Sequence, residues 1–107
     1  MANSENIIIF ITTKDNAEAE TISRKLLDLK LIACANIIPG IQSLFRWEGK
    51  VDRAQEVLLV IKTKRAAFRE IINRVKSLHS YEVPEIIALP IVDGNQDYLN
   101  WINESVG

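Results

Sequence analysis

Three stretches of this chain are apolar at nearly every consecutive position: Ile7-Ile8-Ile9-Phe10-Ile11, Val57-Leu58-Leu59-Val60-Ile61 and Ile86-Ile87-Ala88-Leu89-Pro90-Ile91. Strands of this kind have no side meant for water, so they belong in a sheet that is covered on both faces. The chain has 107 residues, enough for one domain over residues 1–107. The problem it sets is what covers the second face.

The remaining segments supply few layers. Asp15 followed by Glu18 has the form of a capping box and starts a helix, on which Ala19, Ile22, Leu26 and Leu29 make one apolar stripe. Ala33 to Glu48 reads as a long strand, bent or bulged where Pro39-Gly40 interrupts it. Beyond the bend Ile41, Ser43, Phe45 and Trp47 share one face, and Gln42, Leu44, Arg46 and Glu48 the other. Glu48-Gly49-Lys50 supplies a tight turn, and the return strand runs from about Val51 to Thr63. Thr63 is placed to cap a second helix with Phe68, Ile71, Ile72, Val75 and Leu78 inward. Pro84 ends any helical option, and Glu85 to Ile91 reads as a last core strand. Asp93-Gly94-Asn95 turns the chain into a short final helix carrying Tyr98, Leu99, Trp101 and Ile102.

The order βαββαβα predicts an α+β fold: a ferredoxin-like βαββαβ sandwich with a long hairpin between its second and third strands and a C-terminal helix. A weak echo at an offset of about 50 residues, from Ile8, Ile9, Ile11 and Thr13 to Leu58, Leu59, Ile61 and Thr63, agrees with two βαβ halves. In this arrangement both main helices lie on one face of the sheet. The other face, and a hairpin carrying Leu44, Phe45 and Trp47 outward, are left apolar and uncovered. A homo-oligomer removes both exposures, and head-to-tail pairing of edge strands gives rings.

Net charge is −1, with no basic surplus to draw a phosphate backbone, and the central strands lack stacking aromatics beyond Phe10. Nucleic acid is therefore not an expected partner. The run Ile7 to Ile11 is too short for a signal core or membrane span, and the residues before it are polar with no basic segment. The expectation is a cytoplasmic protein with no membrane association. A single cysteine, Cys34 in an apolar segment, excludes an intrachain disulfide and any multi-cysteine zinc site.

The chemistry-bearing groups concentrate at His79-Ser80-Tyr81-Glu82-Val83-Pro84-Glu85. His79, the only histidine, has two readings: a helix-terminal residue favoured by the helix dipole, or a metal ligand or proton carrier. Glu82 and Glu85 flank a segment stiffened by Pro84; they are further metal candidates or form surface ion pairs. Lys62 sits on an otherwise apolar strand face and needs either a carboxylate partner or an anionic ligand. Trp47 and Tyr81 are the aromatics placed to wall a cleft. No phosphate loop, dinucleotide glycine pattern or nucleophile elbow is present, and Thr12-Thr13-Lys14-Asp15 lacks the arginine and glycine of an acylphosphatase loop.

Several motifs taken together resemble one family. Ala33-Cys34-Ala35-Asn36-Ile37-Ile38-Pro39-Gly40, Trp47-Glu48-Gly49-Lys50, Glu56-Val57-Leu58-Leu59, Ile61-Lys62-Thr63 and His79-Ser80-Tyr81-Glu82-Val83-Pro84-Glu85-Ile86 are similar, in order and spacing, to the CutA family of divalent-cation tolerance proteins. The resemblance covers nearly the whole chain. It implies the ferredoxin-like fold, a homotrimer built through the long hairpin and similar in shape to PII signal proteins, and no established catalytic reaction. It also implies an association with Cu2+ and other divalent cations; a single imidazole with carboxylates makes any such site a weak one. The family's His-Pro-Tyr segment appears here as His79-Ser80-Tyr81. Positions where some bacterial members carry a cysteine and a second histidine linked to copper hold Ile11 and Leu78, so only His79 remains of that set.

The expectation from sequence is thus a non-enzymatic trimer with His79, Glu82 and Glu85 toward metal and Trp47, Lys62 and Tyr81 toward a small ligand in a cleft between subunits. The alternative is a PII-like adaptor that binds a small ligand at subunit interfaces.

Overall fold

The computed structural model describes residues 5–107. The polar leader Met1 to Ser4 lies outside the described residues. The elements are β1 (Asn6–Thr13), α1 (Asn16–Asp28), β2 (Cys34–Trp47), β3 (Lys50–Lys64), a 3-10 turn (Arg65–Ala67), α2 (Phe68–Leu78), β4 (Ile86–Pro90) and α3 (Gln96–Ser105). The four strands form one sheet in the order β2-β3-β1-β4. Every pairing is antiparallel, from Asn6↔Lys64 to Thr13↔Val57 between β1 and β3 and from Ile7↔Pro90 to Ile11↔Ile86 between β1 and β4. The βαββαβ order and the ferredoxin-like sheet are as the sequence predicts.

Alternation along the strands divides the sheet into two unlike faces. Ile9, Ile11, Leu59 and Ile61 point to the helices and are fully buried against Ile22 and Leu26 of α1 and Ile71 and Val75 of α2. Each such side chain contributes roughly 1.5–3 kcal/mol by leaving water. The side chains between them face the other way. Ile8, Phe10, Leu58 and Val60 are half-buried, while Ile38, Ile87 and Leu89 are exposed. Among the described residues no helix covers this apolar surface.

The same surface runs on into the hairpin because of a bulge. Ile38 pairs with Leu58 and Ile41 with Glu56, so β2 carries one extra residue across Pro39-Gly40. Gly40 takes φ +80, which a glycine adopts without a side-chain clash. The extra residue switches the parity of β2, so that Ile41, Phe45 and Trp47 emerge on the face of Leu58 and Val60. The hairpin closes through Glu48 (φ 48) and Gly49 (φ 79), both left-handed as a two-residue turn matched to strand twist requires.

α3 crosses one end of the molecule. Ile102 and Val106 pack on Ala33, and Asn6 Nδ2 donates to Asn103 Oδ1 at 2.9 Å. No helix among the described residues is long and apolar enough to cross a membrane.

Two local expectations are corrected. Thr63 does not cap α2: it is fully buried, and its hydroxyl donates to the Leu31 carbonyl at 2.6 Å. β3 runs on to Lys64, so the chain needs a 3-10 turn before the helix, and Ala67 at the N-cap makes no side-chain bond. β4 is an edge strand rather than a core strand. Only Ile86 is half-buried and the rest is exposed; Ile87 and Leu89 lie on the open face, away from the helices.

Candidate functional site

The segment after α2 is held by three different elements. The helix stops because His79 turns extended, with its N–H still bonded to Val75 O at 2.9 Å. Its ring then drops into a closed slot where the side chain has no solvent exposure. Nε2 lies 2.8 Å from the carbonyl of Thr12 at the end of β1, and Nδ1 lies 3.0 Å from the backbone N of Tyr81. An amide N–H only donates and a carbonyl only accepts. Nδ1 is therefore the acceptor, and Nε2 carries the hydrogen. The Tyr81 ring stacks at 4.8 Å on the imidazole, tilted by 47°.

Tyr81 and Ser80 complete the attachment. The Tyr81 hydroxyl donates to Glu56 Oε2 in β3 at 2.7 Å. Burial pushes the Tyr81 phenol far above its ordinary value, and the carboxylate of Glu56 adds to the effect. The Ser80 N–H donates to Glu18 Oε2 at 2.7 Å, while Glu18 Oε1 accepts from Lys14 N at 3.0 Å. Glu18 N–H in turn donates to Asp15 Oδ1 at 2.8 Å, so Asp15 caps α1 as its sequence suggests. In the capping-box form the glutamate would bond the cap residue's own N–H; here one oxygen goes to the residue before it and the other to a distant loop. Burial pushes the Glu18 carboxyl up, but the hydrogen bonds from Lys14 and Ser80 outweigh it and hold the group below its ordinary value. Glu18 Oε2 stands 3.8 Å from His79 Nδ1.

The remaining candidates fall elsewhere. Glu82 and Glu85 are exposed, and neither makes an ion pair among the described residues. No group of three His, Cys, Asp or Glu side chains among the described residues is arranged to hold a metal. Lys62 lies on the open sheet face beside Cys34, its cross-strand partner. Its Nζ contacts Asn36 Oδ1 and stands 3.7 Å from Cys34 Sγ, with no carboxylate in reach among the described residues. Cys34 is half-buried, and Tyr98 lies against it; burial, then Cys34, pushes the Tyr98 phenol up.

Trp47, Lys62 and Tyr81 do not converge within one chain. Tyr81 is attached at Glu56, whereas Trp47 pairs with Lys50 at the hairpin tip. At about 3.3 Å per residue along β3, Trp47 and Lys62 each sit roughly 20 Å from that point, in opposite directions. Their meeting requires a second copy of the chain. Sequence reasoning did not assign site roles to Glu18 and Glu56. Glu18 was visible only as a helix start, and nothing local marks Glu56 as the acceptor for Tyr81.

A family profile described as CutA1 divalent ion tolerance protein matches residues 7–105. A divalent-cation tolerance protein CutA of Thermus thermophilus is 47% identical over 100 residues, covering 94% of this chain and 97% of the relative. The crystal structure of CutA1 from Oryza sativa superposes with a TM-score of 0.94 at 38% identity, covering 100% of this chain and 98% of its own. A protein named as the periplasmic divalent cation tolerance protein CutA from Archaeoglobus fulgidus superposes with a TM-score of 0.93 at 44% identity, covering 95% and 99%.

Proposed function

The chain belongs to the CutA1 divalent ion tolerance family, and on that premise we propose that it is a non-enzymatic homotrimer that supports divalent-cation tolerance by weak cation binding. The observation that carries the trimer is the uncovered apolar surface. Ile38, Ile87 and Leu89 of the sheet and Phe45 and Trp47 of the hairpin are exposed on one continuous face. Surfaces of this kind mark association.

Cation binding falls to Glu82 and Glu85, which are exposed and held on a stiff Val83-Pro84 segment. Carboxylate oxygens suit hard divalent ions, while Cu2+ favours imidazole. His79 can join them only if its ring leaves the Tyr81 amide or the Thr12 carbonyl, so copper gains little over other ions. Native mass spectrometry before and after Cu2+ addition, in a buffer without competing ligands, tests this. The expected result is a trimer that takes up ions weakly and loses that uptake in Glu82→Ala/Glu85→Ala. Full uptake by the double variant overturns the assignment.

A second reading, a PII-like adaptor, draws on Lys62. This cation has no carboxylate partner among the described residues, and it meets Trp47 or Tyr81 only across a boundary between copies. Affinity capture of partners with and without small metabolites separates an adaptor from a cation binder. A cytoplasmic location belongs to the same proposal. Fractionation of cells into cytoplasm and periplasm tests it.

A further inference from the structure

We infer a second binding site, for a small organic dianion, in the groove between the start of α2 and β4. The inference is independent of the cation proposal. The groove has a volume of about 580 Å3, within the range of small-molecule pockets. Arg65 and Arg69, both exposed, line it together with Phe68, Ile7, Leu89 and Pro90, so two arginines border an otherwise apolar groove.

The two arginines break a pattern kept by the other helical arginines. Arg24 pairs with Glu20 and Arg74 with Glu70, each four residues upstream. Four residues before Arg69 stands Arg65, and neither makes an ion pair among the described residues. Residues 1–4 contain no carboxylate that could supply one. Like charges at this spacing repel, so the pair lowers helix stability unless an anion lies between or beside them. No acidic side chain lines the groove.

The backbone points the same way. Neither the 3-10 turn nor α2 has a side-chain cap at its start. The positive end of the helix dipole adds to the attraction for an anion. Arginine's planar fork suits phosphate or carboxylate oxygens, and Phe68 offers contact to the body of an organic ligand. A phosphate monoester and a dicarboxylate share this chemistry.

Titration of the 15N-labelled protein with phenyl phosphate at low salt tests the site. The expected result is saturable shifts at the amides of Ala66 to Arg69 and Leu89. Arg65→Ala/Arg69→Ala weakens binding more than about tenfold, because two charge-assisted contacts are lost, and Arg69→Gln alone gives a smaller loss. Lys25→Ala/Lys76→Ala, which removes the same charge elsewhere, leaves binding unchanged. Absence of saturable shifts in the wild type overturns the site, as does equal weakening by the lysine variant. Inorganic phosphate binding as tightly as phenyl phosphate overturns the organic part. Dicarboxylates such as phthalate, run in parallel, tell the two ligand sources apart.

Discussion

Glu18 Oε2 accepts the backbone N–H of Ser80 at 2.7 Å across 62 residues of sequence. The first turn of α1 thereby fastens the loop that carries His79, Tyr81, Glu82 and Glu85. With its other oxygen on Lys14 N and its side chain only 8% exposed, Glu18 works as a two-sided staple.

Glu18→Gln keeps the shape and loses the charge. A charge-assisted bond contributes about 1.5–3 kcal/mol and a neutral one about half that. The variant should therefore lose about 1–2 kcal/mol at neutral pH, measured by urea unfolding at fixed chain concentration. The native carboxyl lies below its ordinary value of 4.5. Its stabilisation is present above that value and disappears as pH falls through the lower native one. The difference between wild type and variant should thus shrink in acid. A difference that persists undiminished well below pH 4.5 would show that the charge is not responsible.

His79→Ala leaves the Thr12 carbonyl and the Tyr81 N–H without their partners in a closed slot. A loss of roughly 2–4 kcal/mol is expected in metal-free buffer, with faster hydrogen exchange at the Tyr81 amide. Unchanged metal-free stability would mean that the ring does not hold the loop.

Both tyrosines have their phenols pushed above the ordinary value of 10.0. The neutral form is favoured by the fold, so this stabilisation is complete below the unfolded value and is lost as pH rises through the folded one. Spectrophotometric titration should show no tyrosine ionising with a midpoint near 10 while the protein remains folded. A normal midpoint for one residue would place that phenol in water.

Gly40→Ala meets no neighbouring atom, since a Cβ there has nothing within 4 Å. Its cost is that of φ +80 alone, about 1–2 kcal/mol. Thermal unfolding of the variant checks this, and an unchanged midpoint would show that the bulge relaxes freely.

Much of the architecture was legible in local pattern. Apolar runs marked β1 and β3, Asp15 marked the start of α1, Pro39-Gly40 marked the bulge, and Glu48-Gly49 marked the hairpin turn. Each is a property of a few neighbouring residues. The attachments of the loop after α2 were not legible, because they join groups 25, 62 and 67 positions apart. Tertiary packing decides which carboxylate Tyr81 meets. Thr63 shows the same limit: its hydroxyl could cap a helix, but strand alternation buried it beneath Leu31. The exposure of β4 followed from its place at the sheet edge with Ile87 and Leu89 on the open face, which local periodicity does not report.

The central claim is that the open sheet face and hairpin are covered by other copies of the chain. Light scattering after size-exclusion chromatography of wild type and Val60→Glu tests it most directly. Val60 pairs with Phe10 and Asn36 in the middle of that face. The expected result is a trimer for the wild type and smaller species for the variant, because an unpaired carboxylate buried in an apolar interface costs several kcal/mol. A wild type that runs as a single chain of 12.1 kDa, or a variant that remains trimeric with unchanged stability, would contradict it.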